Sequence, residues 1–102
     1  MIDYAPSARL HVRQLAEYYR AKQRPEALQN LRAALISAEA AIKNRSPHVR
    51  SFPAVYRNLS RPGRAWIKEG IYWIAYNQTD PPVIVAVFWE SADFGSRYPD
   101  VP

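Results

Sequence analysis

Apolar residues recur along this chain with two different periods. From Ser7 to about Lys22 they return every three or four positions, as Ala8, Val12, Leu15, Ala16 and Tyr19, while Arg9, Arg13, Gln14, Glu17 and Arg20 fall on the other side. That spacing predicts an amphipathic helix with its apolar stripe turned inward. Pro6-Ser7 supplies its start, because a serine hydroxyl can accept a hydrogen bond from an orphan amide of the first turn. A second helix follows from Pro25, whose missing N–H would be unpaired in a first turn anyway. Leu28, Leu31, Leu35, Ala38 and Ile42 form its seam, with Ala27, Ala34 and Ala41 beside them to let neighbours approach closely. Only Gln23-Arg24 separates the two helices, so they are expected to form an antiparallel hairpin.

The period changes to two between Arg64 and Trp89. Tyr72, Ile74 and Tyr76 alternate with Ile71, Trp73 and Ala75, and Val83, Val85, Val87 and Trp89 alternate with Ile84, Ala86 and Phe88. Both runs are rich in β-branched and aromatic residues, and the polar break Asn77 to Pro82 has turn chemistry, which predicts a β-hairpin. Ala65 to Lys68, closed by Glu69-Gly70, is a further strand before it, and Met1 to Ala5 a short strand for the sheet edge. Both faces of this meander are apolar, so the helical hairpin must cover one of them. Asn44 to Gly63 is irregular, with Phe52, Val55, Tyr56 and Leu59 as its candidate anchors. The tail ESADFGSRYPDVP is turn-rich and expected to fray or to cross a sheet edge. The expected fold is α+β: a short N-terminal strand and an antiparallel helical hairpin packed on an antiparallel β-meander, in a single domain over residues 1–102.

Composition narrows the chemistry. With no cysteine, disulfides, thiolate metal sites and a thiol nucleophile are excluded. The opening MIDYAPSARLHVR lacks the apolar core of a signal peptide and no apolar run approaches a membrane span, which leads us to expect a cytoplasmic protein. The net charge is +5, and its placement matters more than its size. From Ala40 to Lys68 there is no Asp or Glu, while Lys43, Arg45, Arg50, Arg57, Arg61, Arg64 and Lys68 supply half of the 14 Lys and Arg. Such a window suits an acidic protein or a phosphate backbone, unless it is simply a solvated loop.

Catalytic and metal signals are sparse. His11 flanks the inward stripe of the first helix and reads as a boundary residue; His48 lies in the basic loop without a titratable neighbour in sequence. Two histidines and no cysteine give no metal-ligand spacing, and Gly63, Gly70 and Gly95 are too dispersed for a phosphate loop, so we expect no metal and no cofactor. Trp66, Trp73 and Trp89 fall on successive strands, where they would form a cluster that packs the core or, with Arg57 and Arg61, offers a partner-binding surface.

Taken in order, Pro6-Ser7-Ala8, Tyr18-Tyr19, the seam ending at Ile42, Pro47, Tyr72-Trp73-Ile74-Ala75-Tyr76, the Val83 to Val87 strand, and Glu90-Ser91-Ala92-Asp93 with Arg97 make the chain resemble the RelE/ParE superfamily of bacterial toxins. The resemblance implies the toxin of a type II toxin-antitoxin, or plasmid-stabilisation, pair. Its cognate antitoxin would fold on binding and pack apolar side chains into helix and sheet grooves. ParE-like members poison DNA gyrase and are not enzymes themselves; RelE-like members cleave messenger RNA on the ribosome. For cleavage, the resemblance implies Arg64, Lys68, Arg97 and Tyr98 as the catalytic set. Tyr72 to Asn77 contributes no Lys or Arg to it, and Glu90 and Asp93 would repel a scissile phosphate. The expectation is therefore a ParE-like gyrase inhibitor, with a RelE-like interferase, or a non-toxic member that retains only antitoxin binding, as alternatives.

Overall fold

The computed structural model describes residues 2–53 and 56–91 of the chain. Val55, Asp93, Arg97, Tyr98 and the rest of the tail lie outside the described residues. Strand β1 (Asp3–Tyr4) leads into helices α1 (Pro6–Ala21) and α2 (Pro25–Lys43), then a 3-10 turn at Arg57–Leu59, and strands β2 (Arg64–Glu69), β3 (Tyr72–Asn77) and β4 (Val83–Trp89). This is the expected α+β architecture. The sheet order is β1-β4-β3-β2, with β1 parallel to β4 and the other pairings antiparallel.

Both helices start at a proline, with Ala5 and Arg24 in the cap positions and no side-chain cap. Ser7 does not cap α1. Its hydroxyl instead donates to the carbonyl of Val85 at 2.6 Å, and one turn later the Val87 amide donates to His11 Nδ1 at 3.2 Å. These bonds solve a problem that β1 leaves behind. β1 pairs with β4 only at Val83 and Ile84, so the edge of β4 beyond them would expose unpaired backbone groups. Ser7 and His11, four positions apart on one helix face, close it with side chains.

His11 is accordingly buried, at 5% exposure, and its ring lies 4.8 Å from that of Phe88. It is a structural ligand of the sheet edge, not the boundary residue its position in the stripe suggested.

The helical hairpin covers one sheet face. Leu31, Ala34, Ala38 and Ile42 of α2 and Ala8 and Tyr19 of α1 pack with Ala65, Ile67, Tyr72, Ile74, Tyr76, Ile84 and Val87. The opposite face carries Trp66, Trp73, Ala75, Val85, Ala86 and Phe88, with Leu59 of the irregular segment against it. That segment is also tied to the sheet edge, where Arg50 and Trp66 exchange both backbone bonds, at 2.8 and 2.7 Å.

Strict alternation fails in β4. Ala75 pairs with Ala86 but Tyr76 pairs with Ile84, so Val85 is inserted as a bulge. Ile84 and Val87 consequently share the helix-covered face, and Val85 joins Phe88 on the other. The bulge also splits the expected tryptophan cluster. Trp73 is opposite Phe88, whereas Trp89 is opposite Tyr72 and shares its side of the sheet with the helices.

Candidate partner-binding site

The β2–β3 turn and the α1–α2 turn meet at one end of the molecule. Gly70, with φ +60°, occupies the first position of the two-residue hairpin loop, where a II′ turn needs a left-handed residue. Ile71 follows and is pushed into solvent at 44% exposure. Opposite it, α1 closes with a Schellman arrangement in which the Arg24 amide donates to Tyr19 O at 2.8 Å and Gln23 takes the left-handed position at φ +52°.

Between these turns lies a groove of about 790 Å³. Tyr18, Leu15 and Ala27 form its helical wall, Ile71, Tyr72 and Trp89 its sheet wall, and Gln23, Arg24 and Glu26 its polar rim. Tyr18 and Trp89 are 54% and 46% exposed. Three large apolar side chains thus converge on one concavity while remaining wet, the kind of patch that isolated surface hydrophobics do not make.

The floor is rigid. The Tyr19 and Tyr72 hydroxyls hydrogen-bond to each other beneath the groove. Burial, then this bond, pushes the Tyr72 hydroxyl well above its ordinary pKa, with Arg24 opposing weakly. Tyr72 therefore stays neutral at physiological pH, which equips its hydroxyl to orient a ligand and not to exchange protons. Lys22 lies 5.9 Å from the Tyr18 ring centre and holds that aromatic at the rim.

Of the expected catalytic set, only Arg64 and Lys68 lie among the described residues. Arg64 is buried, and its Nε donates to Asn77 Oδ1 at 2.8 Å across the β2–β3 pair. Lys68, four residues along the same strand and so about 13 Å away, is held 2.8 Å from Glu90 and lies over the Trp73 ring. One cation is engaged in the sheet and the other neutralised. His48 is exposed, with its amide on Ser46 Oγ.

The expected partner-binding residues also divide. Trp89 is presented to solvent, but Trp66 and Trp73 are enclosed, Trp66 completely, with its ring stacked 6.2 Å from Phe88. Trp66 therefore contributes core and no surface. Arg57 is exposed and lies over the Phe52 ring; Arg61 is half-buried in the same irregular stretch, away from the groove lining.

Sequence reasoning overlooked Ile71 and Tyr18 as site residues. Tyr18 did carry a signal: it is the large aromatic that sits off the inward stripe while its neighbour Tyr19 sits on it. Among the described residues no helix is long and apolar enough to cross a membrane, and no group of three or more His, Asp or Glu could hold a metal. The chain matches no protein-family model, and no curated protein matches it.

Proposed function

We propose that this protein is the toxin of a toxin-antitoxin pair, ParE-like in acting on DNA gyrase, and that its antitoxin is held in the groove between Tyr18, Ile71 and Trp89. The observation that carries the binding role is the convergence of those three exposed apolar residues on one concavity. A segment with apolar side chains at helical or extended spacing would bury them, and the chain's net charge of +5 favours an acidic segment. The order of elements, a short strand, two helices and three strands, supports the family reading.

Between the two toxic branches, the state of the cations favours gyrase. A nuclease needs positive charge free to meet a phosphorane-like transition state. Arg64 is occupied by Asn77 and Lys68 by Glu90.

Expression of the chain alone should lower colony counts, and co-expression of a neighbouring reading frame that encodes the antitoxin should restore them. Unchanged counts with protein present in the lysate would remove toxicity and leave a binding protein. Cleavage of ribosome-bound messenger by the purified protein would replace gyrase with the RelE-like target.

A further inference from the structure

We propose that the groove at the C-terminal end of α2 is a second binding site, for a phosphate-bearing ligand with an apolar body, of which a mononucleotide is the simplest form. It lies at the other end of the helical hairpin and shares no lining residue with the aromatic groove. Its volume, about 760 Å³, is in the range that holds small molecules. Ile2, Ile42, Val49 and Pro82 make an apolar floor, and Lys43 and Arg45 stand at its edge.

Helix C-termini ordinarily disfavour anions, because their last carbonyls point outward unpaired. Here three of the last four carbonyls of α2 are occupied. Ala40 O accepts from the Asn44 amide at 2.9 Å, Ala41 O from Ser46 at 2.9 Å and Ile42 O from Arg45 at 3.2 Å. The turn that makes these bonds places Arg45 in the left-handed region at φ +52°. Glycine or asparagine fits that position more easily, so an arginine there is strained, and residues held in strain concentrate at functional sites. What arginine adds is a cation at the groove.

Tyr76 lines the same groove as these cations. Its side chain is 5% exposed on the helix-covered face of β3. Burial raises its pKa, so the hydroxyl remains protonated and can donate to an anion. Asp80 also lines the groove, and its carboxylate would repel a chain of phosphates while accepting from a hydroxyl or amino group of the ligand body. Two cations, hydroxyl and amide donors and one carboxylate thus fit a single phosphate on an apolar carrier.

Calorimetric titration of the full chain at low salt with AMP, adenosine and inorganic phosphate tests this site. AMP should bind saturably and more tightly than either fragment. Tyr76→Phe and Arg45→Gly should each weaken AMP by about tenfold, the effect of losing one hydrogen bond or one charge contact to phosphate. Arg45→Gly also relieves the backbone, so its thermal midpoint should be at least that of the wild type, and lost binding could not be ascribed to unfolding. A 5′-phosphorylated dinucleotide that binds as well as AMP would assign the site to strand ends; weaker binding would assign it to free nucleotides. The proposal fails if AMP shows no saturable binding, if adenosine or phosphate binds as tightly as AMP, or if both variants retain wild-type affinity.

Discussion

The two ends of the helical hairpin are built alike and dressed differently. At each end a helix closes with a left-handed residue that is not glycine, Gln23 after α1 and Arg45 after α2, and each of these residues lines a groove against the sheet. At the Gln23 end the walls are aromatic and aliphatic, with Tyr18, Ile71 and Trp89 exposed. At the Arg45 end the floor is apolar but cations and a tyrosine hydroxyl surround it. A helical hairpin laid across a twisted sheet leaves a concavity wherever a turn lifts off, and the side chains of that turn decide what the concavity can hold. The proposed occupants follow that difference, a protein segment at one end and an anion at the other.

Ile74 is fully buried under the helices, and Ile74→Ala should cost about 2–5 kcal/mol in urea unfolding. Both grooves should then fail together.

Trp89→Ala should separate them. It should weaken antitoxin binding by about 2 kcal/mol or more, read by competition titration, because exposed tryptophans that become buried dominate interfaces. It should leave stability within about 1 kcal/mol, since Trp89 is half solvated already, and AMP binding unchanged. An antitoxin affinity equal to that of the wild type would move the partner to another surface.

The tyrosine floor gives a smaller, pH-dependent signal. Tyr72 ordinarily titrates at 10.0 and is raised in the folded state, as is Tyr4, first by burial and then by its bond to Glu39. Folding therefore favours the neutral hydroxyls. Their contribution is fully present below pH 10 and is lost as pH rises from there toward the folded values, because only the unfolded chain ionises readily. Tyr72→Phe should cost about 1 kcal/mol at neutral pH and make the alkaline decline shallower. A decline unchanged in Tyr72→Phe would place its origin elsewhere.

The smallest effect should be a gain. Gln23→Gly should raise stability by about 0.5–1 kcal/mol, the relief of left-handed strain less the added freedom of glycine in the unfolded chain. A loss would mean that Gln23 makes a compensating contact at the groove.

Periodicity made the frame legible. The stripe from Ala8 to Tyr19 and the seam from Leu28 to Ile42 are the residues that the helices turn inward, wholly or in part, and Tyr72, Ile74 and Tyr76 lie beneath them. What escaped the reading lives in exceptions to those periods. The bulge at Val85 sends Trp89 to the opposite side from Trp73, and no alternation rule announces where an extra residue will be inserted. Ser7 and His11 look like a cap and a flank in sequence; both are recruited by the short β1, which leaves the β4 edge to be closed from α1. Ile71 looked like an ordinary member of the alternating run, but the turn at Gly70 takes it out of the strand and gives it to the groove. The left-handed position of Arg45 has no signal in residue type, since the motif normally advertises itself with glycine.

A supercoiling titration on relaxed plasmid, with gyrase, purified protein and antitoxin varied independently, decides whether gyrase is the target. Supercoiling should fall as the protein is added and return when antitoxin reaches stoichiometric amounts. Trp89→Ala should raise the antitoxin Kd about 30-fold, the equivalent of its lost binding energy, so that at protein concentrations below that Kd reversal needs correspondingly more antitoxin. Full supercoiling at every protein concentration would contradict the gyrase assignment, and reversal of Trp89→Ala in that range at wild-type antitoxin levels would contradict the groove.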